Sequence, residues 1–197
     1  MKKILLFQLL VGLAFLSSCG NSSQEKKETK KMITFSAFKK EISPLSLPIK
    51  SNCQTDLVAP KPIFADSIIA KFGLKNGTVY GKIVDAPNYS AILYLLPADV
   101  VLPIIQTNDS LGKKISSMAL YEKYCGEDEF SKGISWFSVA ENGENISIFL
   151  TDTATTFERN DKGKVIAKSE KMEIRNREFS INSKGEITFI PKKKEEN

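Results

Sequence analysis

Four turns that share one pattern constrain the fold of this chain more than any other feature. Each has a polar residue, a glycine, another polar residue and soon afterwards an aliphatic residue, and the glycines are Gly112, Gly143, Gly163 and Gly185. A hairpin loop of about three to five residues commonly places glycine where the backbone is left-handed. The pattern therefore predicts successive antiparallel hairpins, and so a mainly β fold arranged as a meander, a sandwich or an open barrel.

The segments around these turns have the periodicity of strands. Ile146, Ile148 and Leu150 recur at every second position, which predicts a strand with one apolar face. For residues 116–124 a helix is the alternative to a strand. Strands are predicted by composition and turn spacing at residues 32–38, 78–85, 116–124, 134–139, 146–150, 153–157, 165–175, 177–181 and 187–190.

Two continuous apolar runs have a different pattern. Residues 91–96 and 100–105 are short, lack polar alternation and are bounded by prolines and turn residues, so they are predicted as strands buried on both faces. Pro103, inside the second run, indicates a sheet edge or a bulge because proline has no N–H for a central ladder.

One short helix is predicted at residues 66–74. Asp66 can cap its first turn, and Ile68, Ile69 and Phe72 form an apolar stripe. The expected fold is therefore mainly β with one short helix, and α+β is the alternative.

The start of the chain has the composition of an export signal. Lys2 and Lys3 precede an apolar run over residues 4–16. As a helix this run would span about 20 Å, which is too short for a hydrocarbon core of about 30 Å. The sequence therefore predicts a secretory signal rather than a membrane span.

The tetrapeptide Leu16-Ser17-Ser18-Cys19 follows that run and resembles the lipobox of bacterial lipoproteins. The resemblance implies that residues 1–18 are removed and that Cys19 carries diacylglycerol and an acylated amino group. Three such chains hold a protein durably, whereas a single chain binds membranes marginally. Gly20 is not the aspartate that retains enterobacterial lipoproteins in the inner membrane, so the expected location is the outer membrane facing the periplasm, with surface display as the alternative.

The remainder divides by composition into three parts. Residues 19–32 are predicted to be a flexible tether, because this polar run cannot bury enough apolar surface to offset its ordering entropy. Residues 33–191 have the length of a single β-rich domain, and residues 192–197 form a charged tail.

Four short motifs lie between residues 104 and 190: Leu111-Gly112-Lys113-Lys114-Ile115-Ser116-Ser117, Leu120-Tyr121, Cys125-Gly126-Glu127-Asp128 and Thr151-Asp152-Thr153. Their order resembles a loose group of uncharacterised lipoproteins from Bacteroidetes. That group has no assigned activity. The resemblance implies provenance and, at most, fold, and it transfers no site residues.

Two cysteines remain once Cys19 is lipidated. Cys53 and Cys125 are an even number in an exported protein, and a bond between them would close a loop of about 70 residues and contribute about 4 kcal/mol. Two free buried thiols are the alternative. Neither residue has the spacing of a metal ligand.

The composition excludes several classes of function. The chain has no histidine, which removes the commonest general base, the nucleophile pairs that need it and the commonest zinc ligand. Nucleotide-binding glycine loops and EF-hand spacing are absent too, so no cofactor is expected. The formal net charge of +5 is spread thinly, without the clustered basic face that nucleic acid requires, and no nucleic-acid partner is expected.

The best carboxylate cluster is formed by Glu127, Asp128 and Glu129. Adjacent acids can bind a hard cation such as Ca²⁺ or form a pair with separated pKa values for acid–base chemistry. Consecutive acids in loops are usually solvated, however, and the exposed loop is the favoured interpretation. Asp152, between two threonines, is interpreted as turn chemistry.

The aromatic residues are the second candidate site. Trp136 and Phe137 are adjacent on a predicted strand, so one is expected to face the core and the other water. An exposed aromatic beside Tyr121 would form a platform for a sugar ring or a partner protein. The favoured alternative is that loops or core cover both.

These features favour a non-catalytic lipoprotein that is held to the membrane by its lipid and binds or assembles with another protein of the cell envelope. The alternative is a carboxylate-based hydrolase acting on glycans, centred on Glu127, Asp128 and Glu129. A structural envelope component without a small ligand is the third interpretation.

Overall fold

The computed structural model describes residues 33–55, 57–58, 60–74, 76–121 and 125–191. The chain divides into the units Met1–Met32 and Ile33–Asn197, and all described residues belong to the second. The predicted signal peptide, lipobox, tether and charged tail lie outside the described residues. None of the helices in the described ranges is long and apolar enough to cross a membrane.

The described residues confirm the mainly β fold class, with short helices α1 (Phe35–Lys40) and α2 (Asp66–Lys71). Antiparallel strands make up most of the rest. They are β1 (Ile49–Asn52), β2 (Thr78–Asp85), β3 (Tyr89–Leu96), β4 (Leu102–Asp109), β5 (Lys114–Ala119), β6 (Gly126–Glu127), β7 (Ser131–Asn142), β8 (Asn145–Thr156), β9 (Lys171–Ile181) and β10 (Ile187–Ile190).

The strands form two sheets. A four-stranded sheet has the order β2-β3-β4-β5, and a six-stranded sheet has the order β1-β7-β8-β9-β10, with β6 also paired to β7. Gly112, Gly143 and Gly185 lie in the hairpins β4–β5, β7–β8 and β9–β10 with positive φ, as their turns predict. Gly163 also has positive φ, but its turn is closed by an isolated bridge between Arg159 and Val165 rather than by two strands.

Strand β3 is buried on both faces, as its continuous apolar run predicts. Ala91 and Leu93 pack in one core cluster with inward residues of the six-stranded sheet such as Phe137. Ile92 and Tyr94 point to the opposite face and pack in a second cluster with residues of both helices. The four-stranded sheet therefore lies between the helices and the six-stranded sheet.

The predicted first strand at residues 32–38 is wrong, because the chain is helical from Phe35. Thr34 caps α1 by accepting a hydrogen bond from the N–H of Ala37 at 3.2 Å. The rings of Phe35 and Phe38 pack on Phe72, with centroids 5.1 and 4.7 Å away. So short a helix is unstable alone, and these ring contacts stabilise it.

Strand boundaries also differ from the prediction: the strands predicted at 100–105 and 116–124 are Leu102–Asp109 and Lys114–Ala119. The strands predicted at 146–150 and 153–157 are one strand, since β8 pairs with β7 from Asn145 to Thr156. Residues 165–170 are not a strand, and β9 begins at Lys171 and continues without interruption to Ile181.

Pro103 lies in an interior strand, not at a sheet edge or bulge. Its carbonyl accepts a hydrogen bond from the N–H of Leu120 at 2.9 Å, so its nitrogen faces the same side. The last β5 residue paired with β4 is Ala119, opposite Ile104. The missing N–H therefore falls just beyond the end of that ladder.

Candidate functional site

Trp136 lies on the outer face of the six-stranded sheet. The neighbouring Phe137 is 3% exposed and belongs to the core, while Trp136 is 48% exposed. Adjacent strand residues point to opposite faces, so the burial of Phe137 directs Trp136 to water. The sequence offered this division as one interpretation, without indicating which residue is exposed, and the favoured interpretation, in which loops or core cover both, is wrong for Trp136.

A groove surrounds Trp136 on this face. It has a volume of about 460 Å³. Its wall is built by three neighbouring strands, because Asn52 of β1 and Thr151 of β8 lie opposite Trp136 on either side. The residues that line it are Lys50, Ser51, Asn52, Thr55, Trp136, Phe137, Ser138, Phe149 and Thr151.

Phe149 is the second exposed aromatic in the groove, at 42%. It lies opposite Ser138 on β7, two positions from the Thr151 that faces Trp136. Diagonal neighbours of this kind are about 7–8 Å apart, within reach of aromatic side chains. Two exposed aromatic side chains therefore lie on the same face of two adjacent strands and both line the groove.

Three polar groups that have no partner among the described residues border the two rings. Among the described residues none bonds to Lys50 Nζ, Asn52 Nδ2 or Ser138 Oγ. The oxygen of the Asn52 amide already has hydrogen-bond partners, since Oδ1 accepts the N–H groups of Gln54 and Thr55, both at 2.8 Å. The groove thus combines an apolar platform with one ammonium, one amide N–H₂ and one hydroxyl.

Beneath the groove, a buried ion pair joins three strands. Asp152 of β8 accepts a hydrogen bond from Ser135 Oγ of β7 at 2.6 Å, and Arg177 of β9 donates Nη2–H to its other oxygen at 2.6 Å. Ser135 and Asp152 are buried. Asp152 therefore does not serve a turn, as the sequence suggested, but is an inward-facing charge that the partly buried Arg177 and the Ser135 hydroxyl satisfy.

A disulfide fixes the β1 side of the groove. Cys53 and Cys125 are bonded, with Cα atoms 5.9 Å apart. The N–H of Cys53 donates to the carbonyl of Ser135 at 3.0 Å, and the N–H of Ser135 donates to Cys53 Sγ at 3.1 Å. Cys19, the predicted lipid attachment residue, lies outside the described residues.

Tyr121 lies away from the groove. It is buried and its ring packs on Phe137 at a centroid distance of 5.6 Å, so it is on the inner side of the sheet, opposite Trp136. Burial raises the pKa of Tyr121, partly offset by Ser51. Tyr121 therefore cannot extend an exposed platform beside Trp136.

The three consecutive acids Glu127, Asp128 and Glu129 make different contacts. Asp128 Oδ1 accepts the N–H groups of Phe130 and Ser131 at 2.8 and 2.6 Å, and Oδ2 accepts the Ser131 hydroxyl at 2.9 Å. The bond from Phe130, followed by that from the Ser131 hydroxyl, lowers the pKa of Asp128. Glu127 lies 3.6 Å from Arg159 Nη2, while Arg159 Nε donates to the Glu129 carbonyl at 2.7 Å. Asp128 is thus a turn cap, and the described part of the chain contains no cluster of three or more Cys, Asp or Glu side chains placed to hold a metal.

Comparison with protein-family models, with curated proteins and with solved structures finds no match to this chain.

The sequence analysis identified Trp136 but missed Phe149, Lys50 and Asn52. The signal for Phe149 was present, because Ile148 and Leu150 on either side of it belong to the inward stripe of β8 and direct it outward. For Lys50 and Asn52 there was no local signal. β1 reaches β7 by a pairing between residues more than eighty positions apart, such as Asn52 and Trp136.

Proposed function

We propose that this chain is a lipid-anchored lipoprotein of a bacterial cell envelope whose β domain binds an envelope partner, without catalysis, through the groove around Trp136. The observation that carries the proposal is the adjacent, half-exposed pair Trp136 and Phe149 on an open sheet face. The anchor rests on the lipobox Leu16-Ser17-Ser18-Cys19. The expected location is the outer membrane, facing the periplasm.

A partner that covers exposed aromatic side chains removes apolar surface from water, which favours binding. Removing apolar surface from water stabilises a complex by about 25 cal/mol per Å², and Trp is enriched among residues whose truncation weakens protein interfaces. Lys50, Asn52 and Ser138 border the rings with polar groups that have no partner in the described residues. An apolar centre with a polar rim is the usual anatomy of a recognition surface.

The test compares capture of partners from solubilised envelope by tagged full-length wild type, Trp136→Ala and Phe130→Ala. Phe130 is a matched control, since it is an exposed aromatic that does not line the groove. We expect Trp136→Ala to reduce capture at least tenfold, as for a central anchor residue worth about 2 kcal/mol. Phe130→Ala should capture as wild type does. Equal capture by all three chains would refute the groove as the binding surface.

A further inference from the structure

Among the described residues, part of strand β9 has no neighbouring strand on the side away from β8, and this part is called the open edge. β10 pairs only with the last part of β9, from Ile187 opposite Ile181 to Ile190 opposite Glu178. Residues 171–176 of β9 pair with β8 on one side and with no described strand on the other. β10 ends at Ile190 because Pro191, the next residue, has no N–H to continue the ladder.

The turn between β9 and β10 determines which backbone groups lie at this edge. The N–H of Asn182 donates to Glu186 and its carbonyl accepts from Gly185, so both groups point away from β8. Successive residues of a strand direct these groups to alternate sides. The N–H and carbonyl groups of Met172, Ile174 and Asn176 therefore point to the open edge, and no described residue bonds to them.

The charged side chains along the edge are placed so that the same edge of a second copy would complement them about Ile174. Ile174 and Met172 are exposed on the outer face, at 58% and 67%. Glu173 and Arg175 flank Ile174 with opposite charges, and within one chain Arg175 Nη2 donates to Glu173 Oε1 at 3.2 Å. A two-fold axis at Ile174 would place each Glu173 opposite the Arg175 of a second chain.

We propose that this edge pairs with the same edge of a second copy of the chain, as antiparallel strands related by a two-fold axis at Ile174. The pairing places Ile174 opposite Ile174 and Met172 opposite Asn176, so the edge N–H and carbonyl groups of all three bond across the interface. Two opposite-charge pairs form between Glu173 and Arg175. The two six-stranded sheets become one continuous sheet with both Trp136 grooves on it.

Charges on an edge strand often serve to prevent pairing, but the arrangement here differs from that device. Where an edge is protected by lysines, for example, their like charges repel a second copy. Glu173 and Arg175 have opposite signs at equal distances from the centre of the open segment, so they attract a second copy in one register. At the ends, Lys171 would face Arg177, whose charge Asp152 already balances at 2.6 Å.

The test uses charge complementation between full-length chains in detergent, with sedimentation and co-purification of two differently tagged variants as readouts. Glu173→Arg makes both charges beside Ile174 basic, and Arg175→Glu makes both of them acidic. We expect each variant alone to self-associate at least tenfold more weakly than wild type. A mixture of the two should form heterodimers, since at positions 173 and 175 each basic residue of one chain then faces an acidic residue of the other. Restoration in the mixture also shows that neither variant failed by unfolding.

A third variant tests the backbone contribution. Ile174→Pro removes an N–H that points to the open edge and leaves the ladder to β8 intact, so it should abolish dimers while the far-ultraviolet spectrum is retained. A wild-type chain that stays monomeric up to about 0.1 mM, or single variants that dimerise as wild type does, would overturn the proposal. It would also be overturned if dimers form only after truncation at Pro191, because the chain's own end would then be the occupant of the edge.

Discussion

At the residue scale, Gly112 lies where the turn between β4 and β5 packs against the helical side of the core. Its φ is +88°, and a Cβ added there would lie 2.8 Å from ring atoms of both Phe35 and Phe72. Gly143 occupies a comparable turn with φ +62°, but a Cβ there would meet nothing within 4 Å. The two glycines thus share the backbone requirement and differ in packing.

We therefore expect Gly112→Ala and Gly143→Ala to destabilise the fold unequally. The left-handed backbone costs each alanine about 1 kcal/mol, and the clash with the rings adds about 2 kcal/mol at position 112. Urea unfolding of both variants against wild type measures the difference. Equal losses would show that Phe35 and Phe72 move aside without cost.

Asp85 is a second residue with a measurable effect. Its carboxylate receives hydrogen bonds from Lys39 Nζ at 2.6 Å, Ser90 Oγ at 2.7 Å and Lys82 Nζ at 3.0 Å, which join α1 to the four-stranded sheet. Partial burial by itself raises the pKa of Asp85, but the bonds from Lys39, Ser90 and Lys82 outweigh it and lower that pKa from 3.8 to about 2.

The lowered pKa predicts a loss of stability in acid. Because the folded pKa lies below the unfolded one, the carboxylate stabilises the fold above about pH 4, and this contribution is lost as the pH falls to about 2. The side chain is 35% exposed, so solvent screening reduces the contribution to about 1 kcal/mol. The unfolding free energies of wild type and Asp85→Asn should differ at about pH 5 and converge near pH 2. A difference that does not change with pH would contradict this.

At the element scale, the disulfide holds two very short strands, β1 and β6, next to β7. β1 and β6 lie along the same edge of β7, one paired with Trp136 to Val139 and the other with Lys132 and Gly133. Cys53 follows the first directly and Cys125 precedes the second, so one covalent bond holds both in place.

Replacing both Cys53 and Cys125 by alanine should lower the free energy of unfolding by about 4 kcal/mol, given the long loop that the bond closes. Capture of the partner should also weaken, because Lys50 and Asn52 of β1 line the groove. Urea unfolding with and without a reducing agent is the measurement. The reductant should destabilise wild type by a similar amount and leave the double variant unchanged; an effect on both would point to a cause other than this bond.

The elements that could be predicted from the sequence are those specified by local chemistry. A turn glycine such as Gly143 predicts a hairpin because the turn itself requires a left-handed backbone, whichever strands it joins. α1 was not predicted, since Phe35 and Phe38 become helical through contact with Phe72, far along the chain. The groove was only partly predicted for the same reason: Trp136 could be found from its own strand, but Asn52 reaches it through a distant pairing.

At the scale of the whole molecule, the layer order determines where binding can occur. The helices cover one face of the four-stranded sheet and the six-stranded sheet covers the other. The aromatic groove therefore lies on the outer face of the six-stranded sheet, while the proposed self-pairing uses the edge of β9. Trp136→Ala and Arg175→Glu act on different surfaces, so partner binding and dimer formation can each fail without the other.

The lipid anchor is the remaining prediction at this scale. Only a cysteine thiol accepts the diacylglycerol in the lipobox family, so Cys19→Ala should leave the full-length chain unlipidated. Three acyl chains anchor durably, at about 0.8 kcal/mol per buried CH₂, and the variant should move from the membrane fraction to the soluble fraction. Ser18→Ala keeps a small residue before Cys19 and should remain in the membrane. Mass measurement of the amino-terminal peptide should show the acyl chains in wild type and Ser18→Ala alone; a Cys19→Ala chain that stays in the membrane would refute the anchor.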